Sequence, residues 1–222
     1  MKETAGRIFS LAETARPVPG CTISGDLFKS REAHASVFSL AAGTDISPET
    51  CSHPRLILVL QGTVTVQEPG QKQEITLRTG EAMVIASGTL AGFAAQEDAV
   101  YLEITMFSGD FNLSLPVNES FVLKDRVPVQ PGRVVNMDLA ANPGLKFVVM
   151  SFGRGTGLNE HAAPGDALLF GLDGTGIIGY EGQDHILKAG ANFKFAAGGR
   201  HRVQADGPFT MALLMELRAR RD

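Results

Sequence analysis

A chain of 222 residues, 44% hydrophobic and 20% charged, carries enough apolar mass to bury a core without a disulfide or metal staple. Its net charge is −4, its pI is about 5.7, and its basic residues do not cluster before the closing "RARRD", which argues against a nucleic-acid partner. Cys21 and Cys51 make no CxxC and no disulfide framework, and no apolar run reaches the length of a membrane span.

In chain order, "MKETAGRIFSLAETA" lacks the apolar core of a signal peptide. The expectation is a cytoplasmic chain with reduced thiols and no membrane partner, in which the Asn-x-Ser triplets at Asn112 and Asn118 are chance matches. "FSLAETARP" has helical character. "HASVFSL", "RLILVLQGTVTVQ", "QEITLRTG", "AMVIASG" and "VYLEITM" are short, rich in branched residues and separated by turn residues, so they read as strands. A polar, turn-rich seam follows at residues 107–120. Beyond it come "LKFVVMSF", "ALLFGLDGTGIIGYE", "HILKAG", "NFKFAAGG" and "FTMALLMEL", again strand-like, and helical character returns only in the last ten residues. "GRGTG" at 153–157 lacks the lysine and helix of a phosphate loop and reads as a turn.

The second set of strands repeats the first. At a spacing of 112, Phe9 meets Phe121, Leu27 meets Leu139, Val37 meets Val149, Leu56 meets Leu168, and Gly62-Thr63 meets Gly174-Thr175. Past the next hairpin the spacing is 110, and Leu77 meets Leu187 while Ala86 and Gly88 meet Ala196 and Gly198. Two copies of one fold are expected, 1–110 and 111–222, all-β and built as antiparallel sandwiches or closed barrels.

The order apolar strand, Gly, loop, His, strand, "L-x-G", hairpin, "L-x-x-G", strand, "A-x-G-x-x-H" resembles the cupin family. It is carried here by "GTGLNEHAAPGDALLFGLDG" and "LKAGANFKFAAGGRH". The resemblance implies two tandem cupin-type antiparallel β-barrels, a double-stranded β-helix or jelly roll, and hence a bicupin. It also implies a metal site of two histidines two apart, a glutamate four or five residues on, and a third histidine in the second motif. Counted back from Gly174, these positions hold His161, Ala163, Ala167 and His201; Asp166 is one residue out of phase, on the opposite face of a regular strand. Counted back from Gly62, they hold Glu49, Cys51, Arg55 and Ala91. The first copy has therefore lost the metal pattern, and an ion pair of Glu49 with Arg55 is expected in its place; the functional alternative is an anion site in that barrel.

His161 and His201 are the candidate ligand-binding residues and the candidate metal ligands. They would face one cavity of the second barrel and orient a small anionic or carbonyl ligand, or hold a divalent transition metal, Fe, Mn, Ni or Zn. Phe170, Phe193 and Phe195 are expected in the core, and His34 and His185 at the surface. Cys51, with His53 nearby, does not suggest a thiolate nucleophile. Three functions follow from this reading. The first is a small-molecule-binding or regulatory bicupin, the second a metal-dependent isomerase or oxygenase using the two histidines, and the third a structural protein without a ligand. A homodimer is the expected assembly.

Overall fold

The computed structural model describes residues 1–68, 70 and 74–217; most of the hairpin tip where the repeat changes spacing, and the basic tail 218–222, lie outside the described residues. Strands dominate. β1 (Ile8–Phe9) and the one-turn helix α1 (Leu11–Thr14) lead into β2 (Thr22–Lys29), β3 (Ala33–Leu40), β4 (Thr44–Thr50), β5 (Arg55–Gln61) and β6 (Thr63–Gln67). β7 (Ile75–Arg78), β8 (Glu81–Ile85), β9 (Leu90–Ala95), β10 (Ala99–Met106) and β11 (Ser120–Val122) follow, then a 3-10 turn over Leu123–Arg126. The remainder is β12 (Val134–Asn142), β13 (Leu145–Phe152), β14 (Thr156–Ala162), β15 (Asp166–Tyr180), β16 (Gln183–Lys188), β17 (Asn192–Phe195), β18 (Arg200–Ala205) and β19 (Phe209–Glu216).

The repeat seen in the sequence recurs strand for strand. β3 and β13, and β4 and β14, begin 112 residues apart; β9 and β18, and β10 and β19, begin 110 apart. Gly62 and Gly174 occupy equivalent positions with φ of 73° and 69°. A Cβ there would sit 2.4 Å from Asp98 O in one copy and 2.1 Å from Pro208 O in the other, so both the backbone angle and the close approach demand glycine. "GRGTG" is a turn, closed by Thr156 N–H donating to Gly153 O at 3.1 Å. Helical character in the last ten residues is not realised where they are described. Leu213–Glu216 belong to β19, which pairs with β13 on one side and β15 on the other, and ladder bonding on both edges overrides local propensity.

The chain divides into two compact units, one of residues 12–123 and one of residues 1–11 with 124–222. In the first, the sheet β11-β8-β5-β10-β3-β2 and the sheet β4-β9-β6-β7 enclose a core that includes Ile57, Val59, Val66, Leu77, Phe93 and Tyr101. In the second, β15 links nine strands into one sheet. Its first half pairs with β17 and β19, and beyond a register shift at Gly171/Asp173 it pairs with β16 and β18. That core includes Leu169, Phe193, Phe195, Val203, Phe209 and Met211. Phe193 and Phe195 are at most 2% exposed, each worth roughly 2–3 kcal/mol of burial.

The strand that opens each copy pairs away from it. Ile8 of β1 lies opposite Phe193 of β17, and Phe121 of β11 lies opposite Ala82 of β8. Buried Asn192 fixes the first of these: its Oδ1 accepts from Leu11 N–H at 2.8 Å, and its Nδ2 donates to Leu169 O at 3.0 Å.

Candidate functional site

His161 on β14 and His201 on β18 are direct cross-strand partners. The ladder slips between Leu158 and His161, and pairing resumes at the two histidines. Their ring centroids are 4.2 Å apart with planes at 55°. His201 is 6% exposed and stacks on Phe195 at 3.9 Å, while His161 is exposed. In the other unit Glu49 lies opposite Ala91.

Hydrogen bonding defines the protonation pattern. His161 Nδ1 is 2.8 Å from Asn159 O, and His201 Nδ1 is 3.2 Å from Gly199 O. A carbonyl oxygen only accepts, so each Nδ1 carries a proton, and a neutral ring keeps its lone pair on Nε2. Burial lowers the His201 pKa, aided by the charge of His161 and opposed by the bond to Gly199 O. His201 is therefore an acceptor at neutral pH.

The rest of a metal-ligand set is missing. Ala163 and Ala167 are buried and bring no donor atom. Asp166 accepts from Ala197 N–H at 2.8 Å and pairs with Lys194 at 3.6 Å. Glu160 is held by Arg200, whose Nε and Nη2 donate to one carboxylate oxygen at 2.9 and 2.7 Å. Among the described residues no group of three or more His, Cys, Asp or Glu converges. Two imidazoles fall short of the three or four protein ligands of most transition-metal sites.

The Glu49–Arg55 pair is not formed. Glu49 is exposed on β4. Arg55, 8% exposed on the inner face of the first unit, pairs with Glu103 of β10 across 3.6 Å. The register of β5 on β10 places Arg55 opposite Thr105, so Glu103 is the diagonal neighbour on the same face. Burial raises the Glu103 carboxyl pKa, offset by Arg55 and by a hydrogen bond from Thr105. Tyr101 and Phe93 complete this cluster, which sequence reasoning missed. Arg55 Cζ lies 5.5 Å from the Phe93 ring, which lies 5.3 Å from the Tyr101 ring.

His34, expected at the surface, is half-buried. Its Nε2 is 2.8 Å from Asp26 Oδ1 and 2.9 Å from Ser36 Oγ. Donation from His34, then from Ser36, lowers the Asp26 pKa. Both contacts use one ring nitrogen, so no relay from serine through imidazole to carboxylate exists. His185, also expected in solvent, is half-buried with its ring 4.9 Å from Phe193. Phe170, Phe193 and Phe195 are core residues, as expected.

Residues 148–215 match the family Cupin_2, described as "Cupin domain". A solved structure, the cupin 2 conserved barrel domain protein from Leptotrichia buccalis, superposes with a TM-score of 0.83 at 25% identity over 97% of this chain and 98% of that one. This is a cupin fold. Two enzymes are more distant. Salicylate 1,2-dioxygenase from Pseudaminobacter salicylatoxidans gives a TM-score of 0.59 at 13% identity, covering 84% of this chain and 71% of its own. Oxalate decarboxylase from Bacillus subtilis, described with Mn(II) centres, gives 0.52 at 13% identity, covering 98% and 78%. No curated protein matches the sequence. Among the described residues no helix is long and apolar enough to cross a membrane.

Proposed function

We propose that the chain is a small-molecule-binding bicupin whose ligand is held in the C-terminal copy by the Nε2 atoms of His161 and His201. The observation that carries this is the paired tautomer: two adjacent rings, each with its Nδ1–H spent on a backbone carbonyl, offer two acceptors side by side. Acceptors favour a ligand with hydroxyl or N–H donors. An anion would need a protonated pair, which burial of His201 opposes. The tandem reading rests on strands and turn glycines that correspond at spacings of 112 and 110. A homodimer in the cytoplasm, with Cys21 and Cys51 reduced, belongs to the same proposal.

The free Nε2 lone pairs also favour a second reading, a metal-dependent isomerase or oxygenase with His161 and His201 as its protein ligands. Metal analysis and native mass spectrometry of protein purified without added metal separate the two. The binder predicts metal far below stoichiometry and a co-purified small molecule that is lost in the His161→Ala, His201→Ala double variant. Stoichiometric Fe, Mn, Ni or Zn that disappears in that variant establishes the enzyme instead. Neither metal nor small molecule leaves a structural role. Light scattering tests the dimer.

A further inference from the structure

The first unit holds a second polar centre, built on different strands from the histidine pair. Arg55 occupies the position that Ala167 holds in the other copy, and Tyr101, Glu103 and Thr105 stand where that copy has Met211, Leu213 and Met215. Arg55 is buried, 8% exposed, yet its Nε and Nη2 have no hydrogen-bond partner among the described residues. Its one ionic contact among the described residues, Nη1 to Glu103 Oε2, is 3.6 Å long, beyond hydrogen-bond reach. The Tyr101 hydroxyl, in the same aromatic layer, is likewise buried and without a partner among the described residues. Buried donors left unmade are costly, and a guanidinium more so than a neutral group.

The two orphan nitrogens lie on one edge of the guanidinium, with parallel N–H bonds. That edge matches the two oxygens of a carboxylate. We propose that the N-terminal copy binds a small carboxylate on the Nε–Nη2 edge of Arg55, with the body of the ligand against Phe93. Glu103 beside the guanidinium disfavours a more highly charged anion such as phosphate. Both donor atoms are covered, so the ligand enters as the guanidinium swings from the Phe93 face; a 3.6 Å ion pair is a weak restraint on that movement.

The test uses the full chain with 15N-labelled arginine, titrated with acetate and with benzoate, and with benzamide as an uncharged control. The Arg55 Nε–H resonance, assigned from its loss in Arg55→Lys, is expected to shift saturably with a carboxylate and not with benzamide. By calorimetry, Arg55→Lys, which keeps the charge without the fork, and Arg55→Met are expected to weaken carboxylate binding about ten-fold or more, a loss of roughly 1.4 kcal/mol. No saturable Arg55 shift with either carboxylate, an equal shift with benzamide, or undiminished affinity in Arg55→Met overturns the proposal. Should one variant fail to fold, the other supplies the assignment of the Arg55 resonance, and the contrast between carboxylate and benzamide in the parent chain decides it.

Discussion

Arg55 and Glu103 face each other at 10% and 15% side-chain exposure, so each depends on the other for neutralisation. Removing one partner leaves a buried charge alone. Glu103→Ala is expected to cost about 3 kcal/mol in urea unfolding, whereas the apolar double replacement Arg55→Met, Glu103→Leu is expected to be neutral or stabilising. His201 makes the opposite kind of demand, since it resists charge. Its pKa lies below the ordinary 6.5, so the unfolded chain binds a proton more readily than the folded one. Stability contributed by the neutral ring is full above pH 6.5 and falls as pH drops from there through the lowered pKa. Unfolding midpoints measured across that window should decline with acid, and His201→Gln should flatten the decline.

At the scale of elements, the N-terminal segment is held by side-chain chemistry as well as by its two-residue ladder. Asn192 satisfies Leu11 N–H and Leu169 O, and Lys194 Nζ donates to Met1 O at 2.8 Å and Glu3 O at 2.9 Å. Asn192→Ala leaves two buried backbone groups unsatisfied, and a loss of about 2 kcal/mol is expected on thermal unfolding. Hydrogen exchange should speed up first in β17 and leave β5 protected. The elements were legible where the local pattern sufficed. Short apolar segments bounded by turn residues mark β3, β5 and β13, and the paired glycines mark equivalent positions of the two copies, because a positive φ and a close carbonyl are demands on one residue. Counting back from Gly174 to His161 relies on the same demand. The partner of Arg55 was not legible. Glu103 and Tyr101 are brought to it by the register of β5 on β10, which shifts between Val100 and Tyr101, and no short-range signal reports that shift. Asp26 of β2 meets His34 of β3 by the same kind of cross-strand placement, whereas Ser36 stands two residues along the same strand.

Over the whole molecule, the repeat told how many copies to expect but not which strands each copy would keep. β1 precedes the first copy and completes the sheet of the second; β11 precedes the second and completes the sheet of the first. A backbone cut between Gly109 and Asp110 therefore leaves each fragment holding a strand that the other one needs. The nicked chain is expected to elute as one species in size-exclusion chromatography and to separate only in denaturant.

The pairing of Ile8 with Phe193 also sets a timetable for synthesis. Residues 1–11 leave the ribosome well before their seat, which is not made until more than 180 residues later. At 5–20 residues per second that is a wait of roughly ten to forty seconds. Through that interval the segment hangs as an unmatched edge, open to chaperones and to neighbouring nascent chains alike.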